Sequence, residues 1–145
     1  MKIEIILNSD IKEKVVKIYT NKIDDEIKSL EKYLQNSSLD KIICYTEKGI
    51  KLLSYSSIYR IYSLDKKTIV RTKDEEYTTK TPLQEIEICL PKKFIKISRS
   101  EVINLDYVEN LDLSFRGTIE VKMKNGDVTY LARRRMKDFK EALGI

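Results

Sequence analysis

The chain has 145 residues, an ordinary share of hydrophobic residues and a formal net charge of +5, which indicates about one folded domain with a buried core. It has no histidine, which excludes Ser-His and Cys-His nucleophilic catalysis and every histidine-based metal site. No apolar run approaches the roughly 20 residues of a membrane-spanning helix, so the sequence indicates a cytoplasmic protein that does not insert into membranes. Cys44 and Cys89 lack the spacing of a disulfide or metal motif, and no other pattern predicts an enzyme or a cofactor.

The N-terminal residues predict two strands followed by a helix. Residues 1–7 and 13–20 are rich in alternating β-branched side chains, and turn-forming residues at 8–10 separate them. The helix is predicted from apolar side chains at helical spacing, with Asn21 as its N-cap: Ile23, Ile27, Leu30 and Leu34. Residues 1–38 are therefore predicted to be a strand-strand-helix extension.

From residue 39 onward the pattern is typical of short strands and tight turns. Hairpins are predicted for residues 41–45 with 50–54, 58–63 with 68–72, and 118–122 with 128–131. Further strands are predicted at 76–79, 94–97, 103–105 and 108–113, and short helices after Pro82 and over 133–143. The predicted fold class is mostly β with a few short helices (α+β), and residues 39–145 form its main domain.

The positive charge is concentrated in the C-terminal third. Residues 92–140 carry 12 Lys and Arg against 7 Asp and Glu, whereas the rest of the chain carries 16 of each. A segregated basic surface suggests a polyanionic partner such as nucleic acid. The alternative is a solvated basic face that has no partner.

Three stretches in the main domain carry a family resemblance. These are the hairpin IYRIYSLDKKTIVRTKDEEY, the segment FIKISRSEVINLDYV, and the ending KNGDVTYLARRRMKDFKEALG, in that order along the chain. Together they resemble the LytTR DNA-binding domain family, in its stand-alone form without a receiver domain. The resemblance implies a stack of three small antiparallel sheets. It also implies that homodimers bind direct repeats in promoter DNA, with loop side chains entering successive major grooves.

The resemblance places DNA contacts at three sites. The first is the triplet Ser98, Arg99 and Ser100, where arginine can fork onto guanine and the hydroxyls can reach phosphates or base edges. The alternative is that Ser98 or Ser100 caps a helical turn running through Glu101, with Arg99 solvated. Asn104, a few residues later, is predicted to be structural and to bond the backbone at a bend.

The other two sites are basic. Arg133, Arg134 and Arg135 open the last helix, where successive residues lie about 100° apart, so they cannot all face one partner. Cations at a helix N-terminus are electrostatically disfavoured, which suggests another reason for the cluster, such as phosphate. The third site lies at the tip of the second hairpin and consists of Lys66, Lys67 and Thr68. Lysines are also common in turns without any function.

The favoured function is therefore a transcriptional regulator that binds duplex DNA sequence-specifically. The chain departs from the family pattern at Ser98, where histidine is frequent, and at Ala132, where serine is usual. These departures permit an alternative, a protein-interaction or sensor module whose basic face does not bind DNA specifically. A single-strand or RNA binder ranks third, and an enzyme ranks last.

Overall fold

The computed structural model describes residues 1–36, 41–114 and 117–145. These residues form ten strands and three α-helices, which confirms the mostly β class with a few short helices. The helices are α1 (Asp25–Asn36), α2 (Leu83–Cys89) and α3 (Met136–Leu143). The strands are β1 (Lys41–Thr46), β2 (Gly49–Ser54), β3 (Arg60–Leu64), β4 (Lys67–Arg71), β5 (Glu76–Thr79), β6 (Phe94–Ser98), β7 (Glu101–Asn104), β8 (Val108–Asp112), β9 (Thr118–Met123) and β10 (Val128–Ala132).

The strands form two antiparallel sheets in the described part of the chain, not the three that the resemblance implies. The larger has the order β2-β1-β5-β4-β3-β7-β6, and the smaller has the order β10-β9-β8. The β1–β2 hairpin joins the larger sheet through a single residue pair, Tyr45 with Thr78. The Thr79 hydroxyl reinforces this joint by donating a 2.8 Å hydrogen bond to the Ile43 carbonyl. A hairpin that would otherwise be a separate sheet is thereby fused to the larger one.

Two of the predicted hairpins are closed by residues with left-handed backbone conformations. Asp65 and Lys66 join β3 to β4 with φ of 51° and 64°, as a two-residue turn whose twist matches that of the strands. Gly126, with φ of 92°, follows Asn125 in the turn between β9 and β10. Local turn chemistry therefore explains both strand pairings and their registers.

Strand β7 connects two hydrophobic cores. Neighbouring side chains of a strand point to opposite faces, so Val102 packs in one core and Ile103 in the other. The first core lies beneath α2 and includes Ile61 and Ile86. The second contains β9, β10 and α3, with Phe139 completely buried. All four residues of β7 are buried, and the two polar ones, Glu101 and Asn104, are hydrogen-bonded.

The two strands predicted near the N-terminus are not confirmed. Residues 1–24 contain turns, bends and irregular chain but no strand, because a two-stranded hairpin is marginal in water without a third strand or a core to cover it. The predicted cap is wrong: the helix begins at Asp25, and Asp24 caps it by accepting the Ile27 amide N–H at 3.0 Å. Asn21 and Ile23 lie outside the helix.

The predicted boundary between residues 38 and 39 lies outside the described residues. Within the described parts, no helix is long and apolar enough to cross a membrane.

Candidate nucleic-acid interface

The turn between β3 and β4 lies beside the turn between β6 and β7. Strand β3 pairs with β7 in antiparallel register, which carries both turns to the same end of the sheet. The Ser63 backbone N–H donates a 2.8 Å hydrogen bond to the carbonyl of Ser100 and ties the two turns together. The predicted sites around Lys66 and Arg99, distant in sequence, thereby become neighbours.

These turns line a cleft of about 640 Å³ that is rich in cations and hydroxyls. None of the described side chains that line it carries a carboxylate. Its positive charges come from Lys66, Lys67, Lys80 and Arg99, all exposed to solvent. Four cations around a cleft whose described lining has no carboxylate create a positive potential that suits a phosphate backbone.

Lys80 is a member of this cleft that the sequence reasoning missed. It follows β5, and its Nζ lies 4.5 Å from the ring centroid of Tyr45 on β1. This cation–π contact orients the ammonium group at the cleft. No sequence signal marks Lys80, because the neighbourhood of β1 and β5 exists only in the folded sheet.

The predicted residues in the cleft differ in exposure. Arg99 and Ser100 are exposed, whereas Thr68 is only 7% exposed within β4. Ser98 does not line the cleft; it is half-buried at the end of β6, and its Oγ accepts the Ser100 backbone N–H at 3.3 Å. The helical turn considered as an alternative is wrong, because Glu101 begins β7 directly after the two-residue turn.

The three arginines lie outside the cleft, on the adjacent part of the molecule. Arg133–Arg135 form a 3-10 turn after β10, and this turn packs against β6, the strand that leads to Arg99. Arg133 and Arg134 are exposed, whereas Arg135 is half-buried. The Arg135 Nε is buried and finds no hydrogen-bond partner among the described residues. The arginines therefore diverge, as their helical spacing predicts.

A largely buried ion-pair network lies behind the β6–β7 turn. The Arg60 Nη2 donates to Glu101 Oε1 at 2.7 Å, and its Nη1 donates to Asp127 Oδ2 at 3.2 Å. Arg71 donates from Nε to the same Asp127 oxygen at 2.9 Å, and the Thr129 hydroxyl donates to Glu101. Because Glu101 and Arg60 belong to the larger sheet while Thr129 belongs to the smaller, the network joins both sheets directly behind the β6–β7 turn.

The network also shifts the ionisation of its members. Burial opposes the charge of Asp127, but hydrogen bonds and charge from Arg71 and Arg60 outweigh it and lower the pKa of Asp127. Burial likewise opposes the charge of Arg60, and contacts with Glu101 and Asp127 reverse the effect and raise its pKa. Both groups are therefore charged across the physiological pH range.

The described residues contain no group of three or more His, Cys, Asp or Glu side chains that could hold a metal ion. Cys44 is completely buried on β1, and this burial raises its pKa to about 11. Burial also raises the pKa of Cys89, on α2. Neither thiol lines the cleft.

Comparison with known proteins places this architecture in a family. The family profile described as the LytTr DNA-binding domain matches residues 48–144. Proteins named as HTH-type transcriptional regulators from Staphylococcus aureus strains NCTC 8325 and bovine RF122 are 31% and 30% identical over 148 aligned residues, covering 100% of this chain and 99% of each relative. A solved structure described as the LytTr DNA-binding domain of a response regulator from Bacillus cereus superposes with a TM-score of 0.68 at 27% identity, covering 73% of this chain and 98% of that one. The chain therefore belongs to the LytTr DNA-binding domain family.

Proposed function

We propose that this protein is a transcriptional regulator that binds specific sequences of duplex DNA and reads the major groove with loop side chains. The observation that carries the proposal is the convergence of Lys66, Lys67, Lys80 and Arg99 in one cleft without a carboxylate. Membership of a DNA-binding domain family and the names of the S. aureus relatives support it.

The geometry favours loops over a recognition helix. Strands β1 to β5 separate α1 from α2, and strands β6 to β10 separate α2 from α3, so the described helices do not form a helix-turn-helix. The exposed cations instead lie on turns between strands and on the 3-10 turn before α3. We therefore assign DNA reading to these turns.

The two basic surfaces have separate roles in this proposal. Lys66, Lys67 and Lys80 neutralise phosphates and set affinity through counterion release, which carries no sequence information. Arg99 and Arg134 have the planar fork that recognises guanine O6 and N7, and they set specificity. Because the arginine turn packs on β6, the two surfaces can engage successive grooves of one duplex.

The assembly and setting follow from the family resemblance. We infer that two copies bind as a homodimer to direct repeats in promoter DNA. The protein then acts in the cytoplasm, without a cofactor and without catalysing a reaction.

Selection of binding sequences from random duplex DNA tests the proposal. The expected result is two short repeats, separated by about one helical turn, and binding that falls steeply as salt rises. Failure to enrich any sequence, together with a flat salt dependence, would overturn the proposal in favour of a protein-interaction or sensor module. Preference for single strands over duplex would indicate a single-strand binder instead.

A further inference from the structure

The N-terminal segment, residues 1–24, exposes an unusual number of apolar side chains. Nine of them between residues 3 and 19 are 40% to 93% exposed: Ile3, Ile5, Ile6, Leu7, Ile11, Val15, Val16, Ile18 and Tyr19. Monomeric proteins in water rarely leave so large an apolar surface uncovered. Among the residues that the structure describes, nothing in the same chain covers these side chains.

The same segment contains the turn of a hairpin without its strand pairing. The Asn8 side chain accepts the Asp10 amide N–H at 3.0 Å, and the Asn8 carbonyl accepts the Ile11 amide N–H at 3.2 Å. Residues on both sides of the turn have the β-branched composition of strands. Because an isolated two-stranded hairpin is marginal in water, a third strand is needed to stabilise it.

Strand β2 offers such a partner. It is an edge of the larger sheet, and in the described part of the chain it pairs only with β1. Its outward face is apolar: Ile50 is 67% exposed, Leu52 is 57% exposed, and Ile43, opposite Leu52 on β1, is 45% exposed. An exposed apolar edge strand is a template for the addition of another strand.

We propose that two copies of this chain form a dimer in which each N-terminal segment adds to β2 of the partner and covers Ile43, Ile50 and Leu52. Each chain carries both the N-terminal segment and the β2 edge, so a dimer with a two-fold axis forms the same contact twice. Neighbouring side chains of a strand point to opposite faces, so about half of the nine apolar side chains can face the partner in each contact, and the two symmetric contacts together would bury roughly 1,600 Å², the area of a standard interface. The S. aureus relatives match over the whole chain, N-terminal segment included.

The inference concerns the protein free in solution and does not rest on DNA binding. Sedimentation equilibrium of the full chain without DNA should give twice the monomer mass of 17.1 kDa. A wild-type protein that remains monomeric at about 100 µM, far above the micromolar range of weak dimers, would overturn the proposal.

Two variants disrupt the two sides of the contact separately. The double variant Ile5→Lys/Leu7→Lys alters the segment, and Leu52→Lys alters the edge strand. Each should raise the dimer Kd at least about tenfold, because a charge replaces an apolar contact. Val128→Lys is the matched control: Val128 is an exposed apolar residue (42%) on a strand of the other sheet, and its replacement should leave the mass unchanged. All these positions are exposed, so circular dichroism should show folded proteins.

Mixing the two disrupted variants tests whether the N-terminal segment of one chain docks on β2 of the other chain. A mixed dimer retains one intact contact, formed by the normal segment of the Leu52→Lys protein on the normal β2 of the Ile5→Lys/Leu7→Lys protein. Mixing should therefore restore dimers that neither variant forms alone. If Leu52→Lys dimerises normally while the segment variant does not, the segments pair with each other and the proposed docking on β2 is wrong. A monomer that co-sediments with anionic phospholipid vesicles through the segment would also overturn it.

Discussion

Arg60 and Glu101, which are 41 residues apart in the chain, form a 2.7 Å ion pair between Nη2 and Oε1 behind the β6–β7 turn. Their side chains are only 14% and 9% exposed, and the pair extends to Asp127 and Thr129. Residues of the main sheet and of the smaller sheet thus share one polar network. Arg99 lies two residues before Glu101, so we expect the network to fix the start of β7 beside it.

Removing one partner of this pair should destabilise the fold strongly. Arg60→Ala leaves the Glu101 carboxylate buried without its main counter-charge, and we expect a loss of about 3 kcal/mol in the free energy of unfolding. Urea denaturation measures it. The exposed pair of Lys122 with Glu109 (3.6 Å) provides the control, since Lys122→Ala should cost less than about 1 kcal/mol. Equal losses for the two variants would contradict the role assigned to burial.

Acid should weaken the same network through Asp127. Its pKa in the folded protein is below that of the unfolded chain, about 3.9, so its contribution is fully present above that pH. The contribution is lost as the pH falls through the lowered folded-state pKa. Asp127→Asn should therefore be less stable than the wild type at neutral pH, and the difference should shrink as the pH falls below about 4. A difference that does not depend on pH, measured by denaturation across this range, would contradict the charged role of Asp127.

Asn104 should matter for stability although it carries no charge. It is completely buried, its Nδ2 donates to the Ile58 carbonyl at 2.9 Å, and its Oδ1 accepts the Asp106 N–H at 3.0 Å. This geometry confirms the predicted structural role at a bend. Asn104→Ala leaves both backbone groups without their partner and should cost about 2 kcal/mol in unfolding free energy. The exposed Asn110→Ala should change it by less than about 0.5 kcal/mol.

The two cysteines should differ in reactivity towards thiol reagents. Cys44 is completely buried with a pKa of about 11, so little thiolate forms at neutral pH and no reagent reaches it. Cys89 is half-exposed and should react first, although burial raises its pKa too. Ellman titration of native protein should show one reactive thiol, lost in Cys89→Ser, and a second only after unfolding. Rapid labelling of Cys44 in the native state would contradict its placement in the core.

Substitutions of the arginines and of the lysines should affect the specificity and the affinity of DNA binding differently. If the proposed function holds, Arg99→Ala and Arg134→Ala should weaken binding to the selected site by about 1–3 kcal/mol and affect random DNA less. Lys66→Ala should weaken both sequences equally and reduce the salt dependence. Lys48→Ala changes an exposed lysine at the tip of another hairpin, outside the cleft, and is the matched control. Equal losses on both sequences would indicate that Arg99 and Arg134 contact phosphates rather than bases.

The sequence by itself determined the short strands of the main domain and the pairing of the three hairpins β1–β2, β3–β4 and β9–β10. The Asn125 and Gly126 turn and the alternating apolar residues act over a few neighbours, so the sequence pattern alone is enough to predict them. The strands that the same local reasoning predicts near the N-terminus are not confirmed. A strand is stable only when another strand pairs with it, and residues 1–24 have no such partner among the described residues.

Only the tertiary structure decided which predicted residues meet. The pairing of β3 with β7 carries Lys66 to Arg99, and the pairing of β1 with β5 brings Lys80 into the same cleft. The arginine turn stays outside it, against β6. Strand order depends on the burial of side chains from distant segments, as in β7, where Val102 and Ile103 pack in different cores. Local sequence propensity does not encode contacts between distant segments, so the site forms only when the two sheets pack on their hydrophobic cores.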